Sequence, residues 1–308
     1  MSTLIRIVII GGILFAVYNL QIWEHLAEYI DSQVVYAMLL AGTASLVSFI
    51  PSALRTRLML NKVPRFTPTL KATILSVGLH SVLPARLSEF VKPTFLKIKF
   101  DVPLSDSFAV LFIERLLDAL CVSMLAVFCL AGFSQGFLRL EFLLGIIALL
   151  LLCIPVSVWG SRFLLSKLPD SYSKFHMFLS NITIKLSQLP SFLRNFEVIL
   201  LTIIIWSTSV ATFWIFFSMQ GTVKYTLFEV ILVFVGTTVA YALPALPGGI
   251  GTYEAAAVFI MGYLGTSLEQ AIPIALCLHA TQLLPAAFVA MFIMLTEKVA
   301  LSDLRKTA

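Results

Sequence analysis

Charge is what this sequence has least of. Asp, Glu, Lys and Arg make up 12% of its 308 residues, roughly half the share of an ordinary soluble domain. The 59% that is hydrophobic leaves too little polar surface to clothe a water-soluble particle, so an ordinary soluble domain is excluded and no nucleic-acid partner is expected. Cysteine is scarce as well. Cys121, Cys129, Cys153 and Cys277 all fall in apolar runs without paired spacing, which argues against both disulfides and zinc. His25, His80, His176 and His279 are scattered along the chain, so no metal cluster can be argued from them. No polar stretch is long enough for a separate soluble domain, and no cofactor is expected.

What the chain has instead is apolar length. Runs approaching or exceeding the roughly 20 residues that cross a bilayer recur from end to end, near residues 4 to 23, 34 to 50, 105 to 131, 142 to 160, 198 to 218 and 271 to 295. The first is too long for a signal-peptide core and has no clear cleavage site, so it is read as a retained helix. Two further segments, 70 to 98 and 227 to 264, are interrupted.

Basic residues orient the spans. Arg55, Arg57, Lys62, Arg65 and Lys71 follow the second span, and Arg162, Lys167, Lys174, Lys185 and Arg194 lie in the 161 to 197 linker; both groups predict cytoplasmic loops. The short loop with Glu24, Glu28 and Asp31 has no Lys or Arg and reads as external. If each interrupted segment is a hairpin that returns to its own side, the N- and C-termini are cytoplasmic. Arg6, those two groups of five, Lys92, Lys97 and Lys99, and Lys298, Arg305 and Lys306 then place 17 of the 21 Lys and Arg inside, with Arg139 and Lys224 outside and Arg86 and Arg115 in the membrane. The 161 to 197 linker mixes Phe and Leu with these charges and fits an interfacial amphipathic segment or a solvated loop.

The expected architecture is an all-α polytopic membrane protein with about six full transmembrane helices and two broken re-entrant hairpins. It forms a single unit over 1–308 in which repeats at about 1–131 and 142–296 have inverted topology. Such repeats place broken helices around a midplane substrate site. In the second hairpin, LPALPGGIGTYEAA, Pro244 and Pro247 stop the incoming helix, and Gly248, Gly249 and Gly251 let the backbone turn before a new helix starts near Thr252. That helix N-terminus would present free N–H groups to a phosphate or another anion. Because the prolines set the break, a side chain at Gly249 is expected to block head-group approach without unfolding the protein. The GGIG run lacks the Lys-Ser/Thr of a phosphate-binding loop. In the first hairpin, LPARLSEFVKP, Pro84 makes the corresponding break, with Arg86 and Glu89 just beyond it.

Ionisable residues inside spans cost about 2.5–3.5 kcal/mol each on insertion scales and pair or face a wet cavity. Here Glu114, Arg115 and Asp118 share adjacent turns, and Arg115 can reach Asp118 at i,i+3. Two readings stand: internal salt bridges that join helices, or a head-group site. Arg86 and Arg115 cannot neutralise Glu89, Glu114, Asp118 and Glu254, so protonated acids, a hydrated cavity or proton coupling is expected. Glu254 either carries a proton or accepts from backbone N–H groups in its hairpin. His279 and Gln282, one turn apart, either line the same cavity or pack.

The three motifs LPARLSEFVKP, FIERLLDAL and LPALPGGIGTYEAA, in this order, resemble the lysylphosphatidylglycerol synthase transmembrane-region family of flippase-like proteins, over nearly the whole chain. The commoner first motif has Gly where this chain has Ser88, and often Arg where it has Lys92. The resemblance implies movement of lipid head groups, as in the flippase half of the bacterial multiple peptide resistance factor, which handles aminoacylated phosphatidylglycerol. Other relatives are associated with polyprenyl-phosphate-linked glycans or hopanoid lipids. The soluble synthase domain is not expected in this chain.

The reading that follows is a non-enzymatic, ATP-independent flippase of the plasma membrane that passes a polar, phosphate-bearing head group through a central cavity. Its substrate-binding candidates are Arg86, Glu89, Lys92, Glu114, Arg115, Asp118, Gly248, Gly249, Gly251, Thr252, Glu254 and His279, its partners are phospholipid or polyprenyl-phosphate-linked lipid, and it acts alone or beside a lipid-modifying enzyme. The alternatives are a membrane-embedded enzyme acting on lipid phosphates, with Glu89 or Glu254 as general base, and a non-transporting subunit of a lipid-modifying system.

Overall fold

The computed structural model describes residues 22–60, 65–83, 87–131, 195–243 and 247–299, together with isolated helical positions between 144 and 184. Almost all of the predicted first span, most of the 142 to 160 span and of the 161 to 197 linker, and Pro84, Arg86 and Pro244 lie outside the described residues.

The described helices, in chain order, are α1 Ile22–Tyr29, α2 Ser32–Val47, α3 Phe49–Met59, α4 Phe66–Gly78, α5 Val91–Phe100, α6 Leu104–Ala131, α7 Phe196–Met219, α8 Leu227–Ala242, α9 Thr252–Tyr263 and α10 Leu268–Glu297. The protein is an all-α membrane protein. Several helices start at side-chain caps that satisfy otherwise unpaired N–H groups. Asp31 accepts from the Val34 N–H at 2.8 Å, Asn195 from the Glu197 N–H at 3.0 Å, and Thr226 forms a capping box with Glu229.

Among the described residues three stretches are long and apolar enough to cross a membrane: Ser32–Met59, Phe196–Met219 and Leu268–Glu297. The first corrects the sequence reading, which ends that span at residue 50. Pro51 has no N–H to give the Val47 carbonyl, and α2 and α3 meet at Ser48. The apolar stretch nevertheless continues to Met59, so Arg55 is a buried helical residue and not part of a cytoplasmic linker. Helix α6 matches these stretches in length but carries Glu114, Arg115 and Asp118.

Helix α10 is the spine of the packing. Its first half, through Ile274, Ala275 and Leu278, joins a core of α2, α7, α8 and α9 residues such as Val34, Phe216, Phe234 and Tyr253. Its second half, through Ala290 and Ile293, joins a core built from α3 to α6, with Met59, Leu75, Phe95 and Ile113. Small residues let the backbones approach, as membrane helix pairs require. A Cβ at Gly78 of α4 would lie 2.3 Å from the Ala286 carbonyl oxygen and 2.4 Å from the Ala290 Cβ. Outside these cores Leu39, Phe288 and Leu295 stay exposed, at 65%, 69% and 72%. That suits a surface solvated by acyl chains, where apolar side chains need no protein partner.

Candidate functional site: a cavity beside two chain breaks

The two breaks meet. After α4 the chain makes a tight turn over Leu79–Ser81, and a second over Leu87–Phe90 leads into α5. After α8 it turns over Pro247–Gly249 before α9. The His80 ring lies 4.7 Å from that of Tyr241, at the end of α8, and a Cβ on Gly248 would come within 3.4 Å of the Ser81 Cα. Ser88 ties the first return in place, because its carbonyl accepts from Ser76 at 2.8 Å and its hydroxyl meets His80 Nδ1 at 2.7 Å.

Glycine is required in the second break. Gly248, Gly249 and Gly251 have φ of 70°, 71° and 88°, where an L side chain is strained. A Cβ on Gly249 would also stand 2.7 Å from Tyr241 Cδ2. The expectation that a side chain at Gly249 leaves stability intact is therefore corrected. Both the backbone angle and the Tyr241 ring oppose it, whatever the prolines do.

The helix N-terminus that follows is already occupied by a carboxyl group, which the chain itself supplies. Glu254 Oε2 accepts from the Gly251 N–H at 2.7 Å, and Glu254 Oε1 meets His279 Nδ1 of α10 at 2.7 Å. The other ring nitrogen, Nε2, faces the Gly248 carbonyl at 2.9 Å. Thr252 donates to the Gly249 carbonyl at 3.0 Å. Gly248, Gly249, Gly251, Thr252, Glu254 and His279 thus form one cluster that pins the turn to α10. Tyr253 stacks on His279 at 4.1 Å and 14°.

Beside this cluster lies a cavity of about 270 Å³ between α2, α7, α8 and α10. Ser45, Ser48, Ser209, Thr212 and Gln282 contribute polar groups to its wall, and aromatic rings, Trp206 and Tyr253 among them, complete it. The four hydroxyls already donate to carbonyls of their own helices, at 2.6 to 3.0 Å, so lone pairs are what they have left to offer a ligand. Among the described residues that line the cavity, His279 alone can carry a positive charge.

The charged residues form a second group. Lys92 Nζ lies 3.0 and 2.7 Å from the two carboxylate oxygens of Glu114 and 2.6 Å from the Thr56 hydroxyl, which also bonds Glu114. Arg55 Nη1 meets Asp118 at 2.8 Å and the Thr202 hydroxyl at 3.1 Å. The Trp206 indole N–H donates to Asp118 at 3.2 Å, so one side chain reaches both the carboxylate and the cavity wall. The predicted Arg115–Asp118 contact is present at 3.7 Å, but it is the looser of that acid's two ion pairs. Arg115 also reaches Glu89 at 3.5 Å and is half exposed.

The count of acids against bases changes accordingly. The sequence reading sets Arg86 and Arg115 against four acids, because it places Arg55 in a loop and Lys92 among the cytoplasmic residues. In the structure Glu114 has Lys92, Asp118 has Arg55, Glu89 has Arg115 and Glu254 has His279. The expected surplus of buried acid is reduced to Glu254, whose partner His279 offsets it only when protonated. Arg55, Thr56, Thr202, Trp206, Tyr241 and Tyr253 are the site residues that sequence reasoning missed. For Arg55 the available signal was Pro51, which marks a kink as readily as an end. Among the described residues no group of three His, Cys, Asp or Glu is placed to hold a metal ion.

The sequence profile of one family, described as the lysylphosphatidylglycerol synthase TM region, matches residues 3–290. Comparison with curated proteins and with solved structures returns no match.

Proposed function

Because the chain belongs to the lysylphosphatidylglycerol synthase TM-region family, we propose that it translocates a lipid by passing the polar head group through the cavity between α2, α7, α8 and α10 while the acyl chains stay in the bilayer. The observation that carries this reading is the cavity itself. Hydroxyls, Gln282 and His279 line it beside two chain breaks that meet, and polar groups inside a membrane protein mark substrate paths. Broken helices around such a site are a recurrent transporter arrangement. No nucleotide motif accompanies them, so movement runs down a lipid gradient or is driven by an ion.

Transport is favoured over chemistry on a lipid phosphate because both acids once considered as bases are engaged. Glu254 bonds Gly251 and His279, and Glu89 pairs with Arg115. Half-exposed Arg115 is the cation we assign to meet a lipid phosphate on its way to the cavity. The proposed setting is the plasma membrane, with both termini cytoplasmic, the two hairpins re-entrant and the halves related by inverted topology.

The test is a liposome assay with the purified chain and labelled lipids, phospholipids and polyprenyl phosphates among them. Relocation of chemically unchanged lipid supports the proposal. Altered lipid identifies an enzyme, and neither outcome identifies a non-transporting subunit; both overturn it.

A further inference from the structure

We propose that His279 and Glu254 form a single-proton binding site, and that the proton they share holds the second hairpin turn against α10. The argument is one of hydrogen positions. The Gly248 carbonyl can only accept, so His279 Nε2, 2.9 Å away, must carry a hydrogen. At the other nitrogen, 2.7 Å separates Nδ1 from Glu254 Oε1. A neutral ring protonated at Nε2 has a lone pair on Nδ1, and an ionised carboxylate has only lone pairs as well. Two acceptors do not sit at that distance. One more proton is therefore present, either on Nδ1 as an imidazolium facing a carboxylate, or on Oε1 as a carboxylic acid facing a neutral ring. The pair has zero net charge in both forms.

The surroundings suit such a site. Glu254 Oε2 is held by the Gly251 N–H, which orients the carboxyl group. The Tyr253 ring, parallel to the imidazole at 4.1 Å, favours a cation through its π face. Among the described residues, the titratable groups that face the pair are Tyr253 of α9, Tyr241 of α8, edge-on to His279 at 6.2 Å, and His80 of the first break, behind Tyr241. His279 is buried and lines the cavity, so the proton sits at the cavity wall.

Loss of the proton leaves two acceptors in contact and breaks the link between α10 and Glu254, while the Nε2–H bond to the Gly248 carbonyl remains. The turn carrying Gly248, Gly249 and Gly251 is then held to the His279 ring through Gly248 alone, beside the cavity. Coupling of this step to lipid movement rests on the transport reading above. The proton site itself does not, and it is tested without lipid transport.

The experiment uses the full chain purified in detergent. Glu254→Gln is the informative variant, because its amide N–H₂ donates to Nδ1 while its oxygen still accepts from Gly251, reproducing the proton-loaded arrangement. The shared proton is what joins Nδ1 to Oε1, so stability is lost as pH rises through the range where the pair gives it up. The wild-type Tm should fall by about 2–4 °C or more over that range. Glu254→Gln should keep the low-pH Tm and lack that fall, and potentiometric titration should show one proton fewer released per chain over the same range. Parallel Tm profiles for the two proteins, equal proton release, or a Glu254→Gln protein destabilised equally at every pH would each overturn the proton site. If the site passes this test and liposomes show no lipid movement, the transport reading alone fails.

Discussion

Arg55 and Asp118 lie 63 positions apart in the sequence and meet at 2.8 Å, with the arginine side chain 3% exposed. Arg115, three residues from Asp118, reaches it only at 3.7 Å and is 52% exposed. Proximity along a helix therefore identifies the weaker partner. A buried arginine left without its carboxylate, or the reverse, is far more costly than a wet pair.

Removing either arginine should accordingly have very different consequences. Arg55→Ala strands Asp118 and is expected to cost about 3–5 kcal/mol in unfolding experiments, while Arg115→Ala costs less than about 1 kcal/mol. Arg55→Met combined with Asp118→Leu should recover most of the loss, since a well-packed apolar pair avoids the buried charge. Equal costs for the two alanine variants would show that the Arg55 pair is solvated.

At the second break, Gly249→Ala is expected to destabilise the protein by about 1–2 kcal/mol from its positive φ alone, and by more from the clash with Tyr241. Placing it in a Tyr241→Ala background should remove the clash component and leave the backbone component, which thermal unfolding of the four proteins separates. A Gly249→Ala protein as stable as wild type would mean that the turn relaxes freely.

Two other glycines give opposite expectations. Gly78→Ala drives a methyl group into the Ala286 backbone and Ala290, and should cost about 1–3 kcal/mol as α4 is pushed off α10. A Cβ at Gly262 of α9 meets nothing within 4 Å, so Gly262→Ala should be neutral or gain up to about 0.5–1 kcal/mol. The comparison fails if Gly78→Ala is the milder of the two.

Orientation can be read by cysteine labelling of intact cells. Single cysteines near Lys97, beyond the first hairpin, should react only from the cytoplasmic side, and those near Thr266, beyond the second, only from outside. Labelling of either position from the opposite side means that its hairpin crosses the membrane, and the inverted repeat is lost.

The sequence alone determined the class of protein and the position of its breaks. Low charge and repeated apolar runs require helices in lipid, because backbone groups there must pair within the segment. The glycines at 248, 249 and 251 read correctly as a turn, since their freedom at positive φ is a local property. Glu254 as an acceptor of a backbone N–H was one of the two readings the sequence left open, and its bond to the Gly251 N–H, three residues back, requires no knowledge of distant chain.

What only the tertiary structure decided is which charge answers which. Arg55 looked like a loop residue because the signal for a span's end is local, whereas its burial depends on α6 and α7 packing around it. Lys92 meets Glu114 for the same reason. The second partner of Glu254, His279, is 25 residues further on, on another helix. Ion pairs in a membrane protein form where helices cross, and a crossing is set by the combined shapes of two surfaces. Hydropathy and spacing along one chain describe each surface separately, so they locate the charges and leave their partners to the fold.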